Sequence, residues 1–126
     1  MSLKKKFIET RDNYVINQVK KAPIPKFKSF EIRRYRLIFS GRVQNVGFRL
    51  EAGEMAKRLG LTGFCENLEN GSVLVEVQGQ FDKIKFFVAF MRSLKRIVVK
   101  KVEKKRLPLD FTEVGFQSDK EERTFG

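Results

Sequence analysis

Between Arg33 and Gln117 the spacing of apolar residues switches between two and about 3.6, and this alternation limits the fold more than any other feature of the chain. "RRYRLIFS" alternates, with Tyr35, Leu37 and Phe39 on one face, and reads as a strand. Phe48, Ala52, Met55, Ala56 and Leu59 then share one face of a helix that Gly60 is placed to close. Gly53 inside that helix costs about 1 kcal/mol relative to Ala, so a packing reason is expected for it. "LTGFCENL" and "SVLVEVQG" read as antiparallel strands joined at "ENG", an Asn-Gly hairpin signal. "QFDKIKFFVAFMRSLK" reads as a second helix, with Phe81, Ile84, Phe87, Val88 and Met91 as its core stripe. "RIVVKKVEKKRL" is a strand with one polar face, broken by Pro108, and "FTEVGFQS" a last short strand. The order is β-α-β-β-α-β plus a terminal strand. It predicts an α+β, ferredoxin-like sandwich: an antiparallel sheet, two helices on one face, the other face open to a ligand or to water.

Three segments are expected. Residues 1–32 form a basic N-terminal extension holding 8 of the 27 Lys and Arg among its first 30 residues. Phe7, Ile8, Tyr14, Val15, Val19 and Ala22 fit one face of a helix over about 5–21, which Pro23 and Pro25 would end. Residues 33–118 form the folded domain, and 119–126 a charged tail.

The chain has no histidine and one cysteine, Cys65. Ser-His and Cys-His nucleophiles, histidine metal ligands and internal disulfides are thereby excluded. Chemistry must come from Arg, Lys, Asn, carboxylates and backbone dipoles. No cofactor and no metal are expected. A net charge of +12 favours anionic partners, although a lysine excess is most often a solvated surface. No stretch reaches the roughly 20 apolar residues of a membrane span, and the N-terminus lacks a secretory pattern. A cytoplasmic location without membrane contact is the expectation.

"SGRVQNVGFR" lies between the first strand and the first helix. A strand-to-helix loop can gather backbone N–H groups around an anion, and the helix N-terminus adds partial positive charge. Arg49 at the helix start can hold a phosphate in bidentate fashion. From these features alone, a tight turn and an anion pocket are equally good readings. Arg42 reads as solvated, Cys65 as a small buried apolar residue, and Glu51 and Glu54 as solvated helix residues.

The residues also carry a resemblance. Gly41, Val43, Gln44, Val46, Phe48 and Arg49, then Leu59, Gly60, Leu61, Gly63, Phe64 and Asn67, then Asn70, Gly71, Ser72 and Val73, resemble the ordered motifs of the acylphosphatase family. The likeness runs from about Arg34 to Gln117. It implies hydrolysis of acyl phosphates to a carboxylate and inorganic phosphate. It implies that Arg49 and the loop Val43, Gln44, Asn45, Val46, Gly47 and Phe48 bind the phosphate, and that Asn67 positions the attacking water. A phosphate or sulfate ion would compete. Asn45 stands where the family has glycine; asparagine is among the few other residues that tolerate a left-handed backbone. The alternative is an RNA-binding module on the same fold, and nucleic acid is not the expected partner because the strands lack an "RGFGFV"-like aromatic pattern.

Overall fold

A computed structural model describes residues 3–118, with side chains from Arg11 onward. Phe7, Ile8 and the tail 119–126 lie outside the described side chains or residues. The element order is α1 (Leu3–Lys21), β1 (Ile32–Arg42), α2 (Phe48–Arg58), β2 (Thr62–Asn67), β3 (Val73–Gln80), α3 (Phe81–Ser93), β4 (Val98–Leu107) and β5 (Phe116–Gln117).

The five strands are ordered β4-β1-β3-β2-β5. β1 pairs antiparallel with β3 and β4, and β2 antiparallel with β3, as the hairpin signal and the alternation predict. β5 departs from the all-antiparallel expectation. It pairs parallel with β2 and is only two residues long, because residues 111–115 turn instead of extending. Leu37, Phe39, Val73, Val75, Val77 and Cys65 face inward and are buried. On them lie Phe48, Ala52, Met55, Ala56 and Leu59 from α2 and its end, with Ile84, Phe87, Val88 and Met91 from α3. Phe39 and Phe48 meet with ring centroids 5.0 Å apart. Burying each such side chain contributes about 1.5–3 kcal/mol. Phe81 is only half buried and stacks on Tyr35, with the Arg33 guanidinium over its ring. Gly53 has its packing reason: a Cβ there would lie 2.7 Å from Ser118 Cβ, so glycine lets the end of β5 approach α2.

A third helix joins this layer. α1 packs against α2 with Val15 and Val19 buried, and Arg58 donates a hydrogen bond to the Val19 carbonyl. Tyr14, expected on the same face, is instead 60% exposed. Among the described residues no helix is long and apolar enough to cross a membrane.

The opposite sheet face is not wholly open. Arg34 is buried there and donates to Glu113 at 2.7 and 3.0 Å and to Glu76 at 3.1 Å. Gln78 exchanges hydrogen bonds with the backbone of Asp110 at 3.0 and 2.8 Å. These contacts hold the segment after Pro108 across one end of the sheet. On β1 and β3 that face also carries Arg36, Ile38 and Leu74, none of them aromatic, and Phe64 of β2, opposite Glu76, is half buried, so those two strands offer no paired aromatic platform for bases. The RNA-binding alternative therefore finds no support.

Candidate active site

The loop after β1 is held at both ends by burial. Val43 and Phe48 are in the core, so the residues between them must arch over a short span. Two left-handed residues make the arch: Asn45 at φ 62° and Gly47 at φ 82°. Asn45 thus adopts the conformation for which asparagine, after glycine, is best suited. A backbone that alternates hands in this way turns neighbouring N–H groups toward one side. Gly47 is also the N-cap of α2 and contributes no side-chain cap, so the first N–H groups of the helix remain available to a ligand.

Two long-range contacts fix the arch. Gln44 Nε2 donates to the carbonyls of Leu68 and Ser72, at 2.7 and 2.9 Å. Both belong to the turn that follows Asn67, which is itself closed by Asn70 Oδ1 accepting from the Ser72 N–H at 3.0 Å. On the other side Arg96 Nε donates to the Val46 carbonyl at 2.7 Å, and Arg96 Nη2 pairs with the Glu51 carboxylate.

Glu51 corrects the expectation of a solvated helix face. It is fully buried in the first turn of α2, and its Oε1 has no hydrogen-bond partner among the described residues. Burial pushes its carboxyl above the usual range, with the Arg96 charge acting in the opposite direction. Arg96 and Glu51 are 45 positions apart in the chain, which is why the spacing on α2 alone did not reveal the pair.

A cavity of about 260 Å³ opens above the arch. Val43, Asn45, Gly47, Phe48, Arg49 and Asn67 line it together. Gln44 and Val46 do not; the Gln44 amide braces the β2–β3 turn, and the Val46 carbonyl is held by Arg96. Among the described residues no carboxylate pairs with Arg49. Its charge reaches Cys65, whose thiol is pushed well up by burial and only partly drawn back by the arginine. Arg42 is exposed and away from the cavity wall. Four further residues complete the lining: Leu50, Ser118, Arg11 and Asp12. The last two come from α1 and were not anticipated. Their signal was the i, i+4 stripe Arg11, Val15, Val19, which puts Arg11 one turn from the buried valines on the docking side of the helix. A cavity that gathers two arginines, the amides of Asn45 and Asn67 and the N-terminus of α2, against the single carboxylate of Asp12, is suited to a small dianion and a water molecule.

Comparison with known proteins fits this geometry. The acylphosphatase family profile matches residues 35–118. An acylphosphatase of Clostridium beijerinckii is 50% identical over 60 residues, covering 48% of this chain and 67% of that protein. An acylphosphatase of Clostridium acetobutylicum is 34% identical over 87 residues, covering 68% of this chain and 96% of that protein. The crystal structure of acylphosphatase from Bacillus subtilis superposes with a TM-score of 0.64 at 25% identity, over 69% of this chain and 97% of that one.

Proposed function

The chain belongs to the acylphosphatase family, and from that membership we propose that it hydrolyses acyl phosphates with Arg49 and the 43–48 backbone holding the phosphoryl group and Asn67 aiming the water. The observation that carries the reading is the shared cavity: Arg49 and Asn67, 18 positions apart, face one space above an arch of left-handed backbone.

The chemistry suits these groups. In R–CO–O–PO₃²⁻ the leaving carboxylate is stable, so phosphoryl transfer depends on positioning and on stabilising charge. The Arg49 guanidinium and the loop N–H groups meet the phosphoryl oxygens as charge spreads over them. The Asn67 amide hydrogen-bonds a water and sets it in line with the leaving oxygen. The water oxygen bonds to phosphorus while the bond from phosphorus to the carboxylate oxygen breaks. The carboxylate departs with that bond's electron pair, and the water proton passes to a phosphoryl oxygen and then to solvent. These steps call on neither an imidazole nor a metal. Inorganic phosphate or sulfate occupies the same cradle and competes. The single buried thiol fits a reducing, cytoplasmic setting.

The test is hydrolysis of benzoyl phosphate by the wild type and by Arg49→Ala, with inorganic phosphate as competitor. Turnover that phosphate inhibits and that vanishes in Arg49→Ala is the expected result. Equal turnover in both proteins would overturn the assignment.

A further inference from the structure

We infer that Arg11 of α1 is a second substrate-binding cation, which exchanges its Asp12 partner for the phosphoryl group; this rests on the phosphate reading of the cavity. The helix is a docked part of the site. Val15 and Val19 are buried, and a Cβ placed on Gly47 would lie 3.7 Å from Val15 Cγ2 and 3.7 Å from Arg11 Nε. Arg11 therefore stands over the residue that caps α2 and borders the arch, where an anion held by the first N–H groups of α2 and by Arg49 would sit. The family match begins at residue 35, so this cation comes from outside the matched segment.

The contact that now occupies Arg11 is one it can give up. Its Nε and Nη2 both donate to a single oxygen, Asp12 Oδ1, at 3.2 and 3.1 Å. Both side chains are 36% exposed. A pair between neighbours in sequence, at that exposure, is held weakly and is screened by salt. A phosphoryl dianion offers the same guanidinium more charge and two or three acceptor oxygens, and charge-assisted bidentate contacts of that kind are stronger. Asp12 lines the same cavity, so its carboxylate competes for Arg11 and repels the incoming anion. The two neighbours thus act on binding with opposite sign. A helix that merely buttressed the loop would give no such opposition.

The experiment titrates inorganic phosphate into the full chain calorimetrically and measures KM for benzoyl phosphate, for the wild type, Arg11→Gln, Asp12→Asn and Arg49→Ala. Melting curves accompany each variant. Arg11→Gln should weaken phosphate binding and raise KM by about 3- to 10-fold, the loss shrinking at high salt, as for a partly exposed charge contact. Asp12→Asn should tighten both by about 2- to 5-fold. Unchanged phosphate affinity in Arg11→Gln, or changes of the same sign in the two α1 variants, would overturn the inference while loss of turnover in Arg49→Ala left the phosphatase reading standing. Phosphate binding that depends on Arg11 in a protein without turnover would have the reverse meaning. A wild type that binds no phosphate would overturn both.

Discussion

Gln44 Nε2 donates to the Leu68 carbonyl at 2.7 Å, joining the loop that precedes α2 to the turn that follows Asn67. This bond and its companion to Ser72 at 2.9 Å tie the loop before Arg49 to the turn next to Asn67. Arg49 and Asn67 lie on different elements, so their mutual geometry depends on such a brace.

Gln44→Ala should lower kcat by about 10- to 100-fold although the side chain does not face the cavity, since displacements of about 1 Å cost that much. Two lost hydrogen bonds should also reduce stability by about 1–2 kcal/mol. Chemical denaturation with steady-state kinetics checks both. Unaltered kcat in a destabilised protein would show that the brace serves folding alone.

Arg49→Ala and Asn67→Ala should fail differently. Arg49→Ala should lose phosphate affinity together with about 10³-fold or more in kcat, since it removes a donor to developing charge. Asn67→Ala should lose about 10²- to 10³-fold in kcat with phosphate affinity within about 2-fold of wild type, since it removes orientation of water only. Competitive inhibition by phosphate separates the two. A large loss of phosphate affinity in Asn67→Ala would assign that amide to the anion instead.

Asn45 at φ 62° costs less than most residues would there, yet more than glycine. Asn45→Gly should keep the arch and, by clearing a side chain from the cavity wall, leave the turnover rate equal or raised by up to about 10-fold. Asn45→Val should cost about 1–2 kcal/mol of stability, because a branched side chain resists that backbone. Thermal melts and benzoyl phosphate rates decide it. A slower Asn45→Gly would mean that the amide itself takes part in binding.

Glu51 supplies a pH test. Its folded carboxyl titrates above the ordinary glutamate value because burial disfavours the charge. Between the unfolded and the folded pKa the folded state holds a proton that the unfolded chain has released. The stabilisation tied to that proton is full below the unfolded value and is lost as pH rises through the interval. Glu51→Gln removes the titration. Its Tm relative to wild type should therefore climb as pH is raised from the ordinary carboxylate range toward neutrality. Parallel Tm curves across that range would refute the claim.

Much of the architecture was legible because it is written in local spacing. Alternation at Tyr35, Leu37 and Phe39, and the helical stripe from Phe48 to Leu59, name elements and inward faces without knowledge of what they pack against. Leu107 ends β4 directly before Pro108, as a missing N–H requires. The cavity residues Arg49 and Asn67 were legible for another reason: each lies within a short ordered motif at an element boundary, where the chain must turn.

The rest required the third dimension. Nothing local distinguishes Glu51 from Glu54, yet α2 buries the former beside Arg96. Likewise Arg34 is one of several arginines in β1, and only the return of Glu113 over the sheet makes it a buried clamp. Arg11 reads as one more charge on a basic helix until α1 is laid across α2. The sequence by itself determined which segments are strands and helices, which faces are apolar and where the chain arches. The tertiary structure alone decided which charges are neutralised, buried or brought to the cavity, because electrostatic partnership depends on distance in space and on exclusion of water, and neither is encoded in the spacing of one segment.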